Sequence, residues 1–449
     1  MNDYIERVLA ETRRKNPAEP EFVQAVEEVL HSLEKVINAH PEYEEFALLE
    51  RLVEPERQYV FRVPWLDDEG KIRVNRGYRI QFNSAIGPYK GGLRFHPSVY
   101  IGLLKFLGFE QTLKNSLTTL PLGGAKGGSD FDPKGKSDNE IMRFCQSYMT
   151  ELYRYIGQDI DIPAGDIGVG GREIGFLFGQ YKRLRGSFEN GVLTGKGLSY
   201  GGSLIRPEAT GYGAIYYGIE VLNHFGDSIK GKTICCSGYG NVTWGVCKKA
   251  AELGAKVVTL SGRSGYVYDP DGVNTEEKLN KLLEIRSSRH GHVEDYAKAF
   301  PSATFYPGEK PWGVPCDIAM PCATQNEVLQ SDAEKIVANG TQYYFEVSNM
   351  PTPNETLKYL QEHIKVVAPS KAVNAGGVAV SGLEMCQNSE RYSWSAEEVD
   401  ERLRRIMKDI HDSSAAASEQ YGLGYNLVAG ANIAGFKKVA EAMMSQGVV

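Results

Sequence analysis

No apolar run in the chain approaches the ~20 residues that a membrane-spanning helix needs, and no block of basic residues is long enough to follow a phosphate backbone. Neither a membrane nor a nucleic acid is expected as a partner. Lys and Arg total 50 against 57 Asp and Glu, so the net charge of −7 adds nothing that would draw a polyanion. The seven cysteines, Cys145, Cys235, Cys236, Cys247, Cys316, Cys322 and Cys386, are odd in number, contain no C-x-x-C pair and mostly lie in apolar segments. They read as reduced core residues, and no metal site is expected. The opening "MNDYIERVLAETRRK" mixes charges with apolar residues and lacks the continuous apolar core of a signal peptide, which points to a soluble, cytoplasmic protein. Internal repeats and low-complexity linkers are also missing.

The chain has 449 residues, 42% of them hydrophobic, which is ample for two buried cores. Val23, Val26, Val29, Leu30, Leu33, Val36 and Ile37 recur at helical spacing and predict one amphipathic helix near the start. The period then changes to two. Tyr59, Phe61 and Val63, the polar "DDEG", and then Ile72, Val74, Tyr78, Ile80 and Phe82 predict antiparallel strands. Helical patterns are read from about Val99 to Lys182. From Lys232, short apolar runs ("KTICCSG", "KVVTLSG", "CDIAMPCA", "YYFEVSN", "KVVAPSK") alternate with helix-like segments, the pattern of a doubly wound parallel sheet. The expected fold is α/β: an N-terminal α/β domain and a Rossmann-like domain, divided near Gly201, with the last helix packing back on the first domain.

Two glycine-rich motifs carry chemistry. "CCSGYGNVTWG" follows a predicted strand and opens a helix, and Gly238 and Gly240 fit the first two positions of G-x-G-x-x-G, with Thr243 at the third. Such a turn lets a pyrophosphate approach the positive end of a helix. "LPLGGAKGGSDFDP" surrounds Lys126 with Gly123, Gly124, Gly127 and Gly128. Little bulk and unusual backbone angles would let its ammonium sit close to a small substrate, away from water, where its pKa falls and it can exchange protons. Lys90 lies in what reads as another glycine-rich turn, and Gln111 and Lys114 are three apart on one helix face. Three lysines and an amide around one cleft suit a small dianion. Polar residues at the expected carboxyl ends of the sheet strands, Asn349 and Asn374 among them, suit a cofactor's ribose and carboxamide.

These segments, with "GPYKGGLRFHPSV", "PAGDIGVG", "RPEATGYG", "PCATQNE" and "SKAVNAGGVAVSGLEM", resemble the glutamate/leucine/phenylalanine/valine dehydrogenases along nearly the whole chain, and most of all the small hexameric members acting on glutamate. The resemblance implies reversible oxidative deamination of L-glutamate to 2-oxoglutarate and ammonium. It makes Lys126 the catalytic lysine that activates water and Asp166 the proton carrier to and from the amine. Gln111, Lys114 and Gly165 would hold the α-carboxylate, Lys90 and Ser381 the side-chain carboxylate, with Gly91 and Val378 lining the pocket. Arg206, Thr210, Gly238, Gly240, Asn241, Val242, Ala323, Asn349 and Asn374 would meet the cofactor. Residues 1–200 become a substrate-binding and oligomerisation domain joined by a C-terminal helix over 425–449, and residues 201–424 the dinucleotide domain. A homohexamer is implied. The alternatives are a branched-chain or aromatic amino acid dehydrogenase of the same family, which would have apolar residues in place of Lys90 and Ser381, and a non-catalytic nucleotide-binding regulator, which would lack Lys126 and Asp166.

After "KVVTL", where NAD-preferring Rossmann domains place an acidic residue, the chain reads Ser261, Gly262, Arg263, Ser264, and no carboxylate appears until Asp269. Arginine and serine can donate to a 2′-phosphate, so NADP is expected as the favoured cofactor, with NAD possible.

Overall fold

A computed structural model describes residues 2–288 and 291–449. Alternation of Phe61, Val63 and Trp65 forms one face of β1 (Arg57–Leu66), and Val60, Arg62, Pro64 and Leu66 on the other face are exposed. β1 pairs antiparallel with β2 (Ile72–Asn83), which is buried from Gly77 onward. Ile80 and Phe82 of β2 pack with Leu104 and Phe109 of the helix Ile101–Leu117, while Val63 and Trp65 pack with Phe144 and Tyr148 of the helix Asp138–Leu152. Three further strands, β3 (Tyr89–Phe95), β4 (Gly124–Ser129) and β5 (Asp161–Gly165), complete a sheet of order β1-β2-β4-β3-β5. β4 runs antiparallel to β2, and β3 is parallel to both β4 and β5.

Here the structure corrects three readings. The helical stretch expected over 99–182 is interrupted by β4 and β5, and Lys90 stands within β3 rather than in a turn. β4 reads GAKGGS, with too few side chains to show any period. Its glycines serve close packing more than unusual angles. A Cβ on Gly124 would fall 1.9 Å from Thr112 Oγ1, one on Gly91 would fall 1.6 Å from the Ala125 carbonyl oxygen, and of the four glycines around Lys126 only Gly128 has a positive φ, +153°. Third, the helix expected to open the chain is preceded by the helix Asp3–Lys15 and itself breaks at Leu33 into Pro20–Ser32 and Glu34–Ala39, where the Leu33 N–H bonds three residues back, to Leu30.

The second half builds β6 (Thr233–Cys236), β7 (Lys256–Val257), β8 (Thr259–Gly262), β9 (Gly265–Tyr268), β10 (Thr304–Pro307), β11 (Ile318–Met320), β12 (Tyr343–Phe345) and β13 (Val366–Ala368). Their parallel sheet has the order β13-β12-β11-β6-β7, so the strand order reverses at β6, where dinucleotides bind such folds. "KVVTLSG" divides between two sheets: β7 pairs with β6, and β8 turns away into an antiparallel sheet with β9 and β10. The Thr259 hydroxyl bridges the gap, accepting from the Cys236 N–H and donating to its carbonyl, each at 2.8 Å.

Helix Leu427–Ser445 buries Ile433, Phe436, Val439 and Met443 in the same core as Val26 and Leu30. All seven cysteines are free thiols. Five are buried, and Cys316 and Cys386 are partly exposed. Among the described residues, no helix is long and apolar enough to cross a membrane.

Candidate active site

Three neighbouring strands deliver the central groups. Lys126 projects from β4, Lys90 from β3, and Asp166 follows directly on β5. Lys126 Nζ lies 3.1 Å from Asp166 Oδ1, and Arg94 Nε donates to Asp166 Oδ2 at 2.6 Å. The Lys126 side chain is 5% exposed and that of Asp166 17%. Loss of water lowers the Lys126 pKa, with Asp166 pulling it back up. Desolvation pushes Asp166 upward, but the charges and hydrogen bonds of Lys126 and Arg94 outweigh it and hold the carboxyl well below the usual carboxylate range.

The helix Ile101–Leu117 brings Gln111 and Lys114 to the same place. Gln111 Nε2 donates to Asn115 Oδ1 at 2.6 Å, and Asn115 Nδ2 donates to the carbonyls of Lys90 at 3.0 Å and Gly123 at 2.5 Å. One asparagine thus fixes the helix against both lysine-bearing segments. Burial lowers the Lys114 pKa to about 7, and the Lys126 charge adds to that. Lys90 Nζ donates to the Ile162 carbonyl at 3.0 Å, and its pKa too is depressed by burial, then by Arg206 and Arg79. Arg206 Nε donates to Ser381 Oγ at 3.0 Å. Read from the resemblance as a cofactor-side residue, Arg206 borders the pocket of Lys90, Lys114 and Ser381 and acts electrostatically on both lysines. Val378 lies one turn before Ser381 on the helix Gly376–Glu390. Gly91 and Gly165 line the strand side, where a Cβ on Gly165 would meet the Val169 carbonyl oxygen at 2.5 Å.

Several supporting charges escaped the sequence reading. Arg94 is four residues beyond Lys90 on β3, the same face by period two, and this spacing was the available signal. Beneath them Arg79 is fully buried against Asp161 and donates to the Gly91 carbonyl at 3.0 Å. Glu384, one turn after Ser381, is fully buried, pairs with Lys196 Nζ at 2.7 Å, and counters the crowding of positive charge at Lys90 and Arg206. Nothing local in the sequence distinguishes Asp161 or Glu384 from surface acids.

On the dinucleotide side, Gly238 has φ +80° and its N–H donates to Ser261 Oγ at 2.9 Å. Gly240 caps the helix Asn241–Glu252, whose first residues are Asn241 and Val242. Thr243 donates its hydroxyl to the Ser237 carbonyl at 2.9 Å and closes the turn where a third glycine would stand. Thr210 opens the helix Ala209–His224 against Gly377, where a Cβ would lie 2.5 Å from Thr210 Oγ1. Asn374 Nδ2 donates to Asn349 Oδ1 at 2.9 Å, while the buried Asn374 Oδ1 has no partner. The Ala323 N–H is engaged by Glu327 Oε1 at 3.0 Å. Arg263 sits exposed at the β8–β9 turn, and Ser264 Oγ donates to Glu294 Oε2 at 2.8 Å. The glycine cradle, the helix N-terminus and the orphaned Asn374 oxygen fit a nicotinamide dinucleotide. Among the described residues, no cluster of His, Cys, Asp and Glu is placed to hold a metal ion.

A doubly wound sheet with a glycine turn, facing a buried lysine–aspartate pair and a set of anion-holding cations, defines a dinucleotide-dependent dehydrogenase of amino acids. The chain belongs to the glutamate/leucine/phenylalanine/valine dehydrogenase family: residues 201–447 match the model of that name, and residues 55–183 match the Glu/Leu/Phe/Val dehydrogenase dimerisation domain. It is 66% identical over 449 residues to the NAD-specific glutamate dehydrogenase of Clostridium symbiosum, covering 100% of each chain. To the NADP-specific glutamate dehydrogenase of Haemophilus influenzae it is 56% identical, covering 99% of this chain and 98% of the other. Superposition on a solved glutamate dehydrogenase, 66% identical with 100% of both chains covered, gives a TM-score of 0.98.

Proposed function

We propose that the protein interconverts L-glutamate and 2-oxoglutarate plus ammonium, with hydride transfer to NAD(P). The carrying observation is the buried Lys126–Asp166 pair at 3.1 Å, set among Lys90, Lys114, Arg206 and Ser381. Gln111 and Lys114 hold the α-carboxylate, and Lys90 with Ser381, steadied by Arg206, holds the second. An aliphatic side chain would leave these groups unpaired at a cost of about 2 kcal/mol or more. That argues against a branched-chain or aromatic substrate, and the retained proton-transfer pair argues against a non-catalytic regulator.

Asp166, ionised between two cations, takes a proton from the substrate ammonium. Thr210 and Asn374 would hold the nicotinamide end of the dinucleotide, which would supply the acceptor for the hydride leaving Cα. Lys126, its basicity reduced by burial, removes a proton from the water that attacks the iminium carbon, and Asp166 returns its proton to nitrogen as the carbinolamine collapses. Closure of the cleft between the two halves excludes bulk water. Arg263 offers donors to the 2′-phosphate of NADP, while Glu294 on Ser264 opposes it.

We further infer a cytoplasmic homohexamer. Support comes from the dimerisation-domain match and from Val60, Leu66, Ile72 and Val74, which are 53%, 48%, 74% and 61% exposed on one face of the β1–β2 hairpin at a sheet edge. Assay of a panel of amino acids with both nicotinamide cofactors tests the activity: glutamate is turned over at least about 100-fold better than leucine, valine or phenylalanine, as expected when buried polar groups would be left unpaired. Comparable rates on an aliphatic substrate would refute the pocket assignment.

A further inference from the structure

A cavity of ≈ 60 Å³ is lined in part by Lys126 and Lys114 and has room for several water-sized guests. Three glutamates also line it. Glu28 reaches it from the helix Pro20–Ser32, Glu110 from the helix Ile101–Leu117, and Glu346 from the end of β12. Lys371 lines it too, and is already engaged by Glu110 Oε2 at 3.2 Å and by Asn432 Oδ1. Glu346 is 4% exposed; its Oε2 accepts the Ser370 N–H at 3.2 Å, and its Oε1 has no partner. Among the described residues, Glu28 makes no hydrogen bond or ion pair. Glu346 Oε1 is thus a buried acceptor left unpaired, which is costly unless a proton or a positive group meets it.

The geometry points to a site for one small monovalent cation between Glu346 Oε1 and the Glu28 carboxylate, with ammonium, the third reactant of the proposed reaction, as its occupant. A divalent ion needs six or more converging oxygens at about 2.0–2.6 Å, and no such group of acids is present among the described residues. Ammonium instead needs a few well-spaced acceptors, and the orphaned carboxylate oxygen is one of them. Lys126 lines the same cavity, so ammonium held there shares one space with the reacting lysine.

Titration is coupled to occupancy. Burial raises the Glu346 pKa to about 8, the Glu28 charge adds to this, and Thr352, the Ser370 N–H and Lys371 counter it. Glu28 is itself raised by burial and by Glu110, against Lys371, and the buried Tyr344 also faces Glu346. A bound cation draws the proton off Glu346, so cation affinity rises with pH through about 8.

The inference that the occupant is ammonium rests on the proposed activity, whereas the site itself does not. Crystals soaked in thallous ion, which reports monovalent sites without any turnover, show an anomalous peak between Glu346 and Glu28, lost in Glu346→Gln; absence of the peak in the wild type overturns the site. In reductive amination, Glu28→Gln raises the ammonium KM about tenfold, the loss of one charge-assisted contact, with the 2-oxoglutarate KM unchanged. Potassium competes with ammonium in the wild type. A thallium peak with an unmoved ammonium KM overturns ammonium as the occupant. Because Glu28 is only partly buried, Glu28→Gln keeps the test open if Glu346→Gln fails to fold.

Discussion

Lys126 and Asp166 form a buried ion pair, Nζ to Oδ1 at 3.1 Å, although one is flanked by glycines on β4 and the other ends a neighbouring segment 40 residues on. The pair keeps the aspartate ionised and ready to accept, while burial lowers the basicity of the lysine so that it can shed its own proton before taking one from water. Lys126→Ala and Asp166→Ser each lower kcat by at least about 100-fold, the usual scale for losing a positioned acid or base. Dinucleotide affinity, read by quenching of nicotinamide fluorescence, stays within about twofold because neither residue borders the glycine turn. Comparable turnover in either variant would remove the mechanism.

Arg94 holds the second oxygen of Asp166 at 2.6 Å and acts on the reaction through it. Removing this cation lets desolvation raise the Asp166 pKa, so in Arg94→Ala the acidic limb of the kcat/KM profile moves to higher pH. Arg94→Lys keeps the charge and restores most of the wild-type profile. Breaking a buried pair costs about 3–5 kcal/mol, so Arg94→Ala also melts earlier. The stability that the depressed Asp166 contributes is present above its unfolded pKa and is lost as pH falls through its folded value, so the variant's deficit shrinks in acid. A pH profile that does not move in Arg94→Ala assigns the residue to structure alone.

The lysine proposed to meet the α-carboxylate is expected to set a limb of its own. Lys114 titrates at about 7 in the free protein, below its ordinary value, because it is buried beside Lys126. It is protonated, and able to pair with a carboxylate, below that pH. kcat/KM for glutamate therefore carries a descending component above pH about 7, which Lys114→Arg abolishes because a guanidinium stays charged. Profiles of the two proteins measured side by side decide it, and an identical limb in both would rule Lys114 out as its source.

The parts legible from the sequence were those with local signals. The parallel sheet showed in its β-branched runs, and the dinucleotide turn in its glycines. Lys126, Lys90, Gln111 and Lys114 suggested a cleft for a small dianion from their glycine-rich and helical settings, while Ser381 and the role of each came only through family resemblance. β4 was hidden because a glycine strand has no period: its glycines answer to Thr112 crowding Gly124 and the Arg94 carbonyl crowding Gly128, while the five residues of β5 are too few to show a period. Asp161, Glu384 and Glu346 were hidden for a related reason. Their burial depends on partners far off in sequence, such as Arg79, Lys196 and Ser370.

Substrate choice depends on more than Lys90 and Ser381. Ser381→Val removes the acceptor of Arg206 Nε, so the Lys90→Leu, Ser381→Val double variant leaves a buried guanidinium in a pocket meant to be apolar. This double variant loses glutamate activity and gains on norleucine and methionine, and adding Arg206→Met raises that gain further by removing the unpaired charge. Retained glutamate activity with no gain on either aliphatic substrate contradicts the pocket assignment.

Cofactor choice turns on two opposed groups at the β8–β9 turn. Arg263, exposed and free to swing, can form paired hydrogen bonds with a 2′-phosphate. Glu294, hydrogen-bonded to Ser264 at 2.8 Å, carries the charge that repels it. Sequence reasoning saw the first and missed the second, which lies 30 residues on. Related enzymes named as NAD-specific and as NADP-specific both align along essentially the whole chain, so overall similarity does not by itself set the preference. Arg263→Asp lowers kcat/KM for NADP(H) relative to NAD(H) by about tenfold or more, the loss of a charge-assisted contact plus a new repulsion. Glu294→Gln moves the same ratio the other way, and the effect of both substitutions shrinks at high salt because the turn is solvent-exposed. Ratios unchanged in both variants would show that neither residue reads the phosphate.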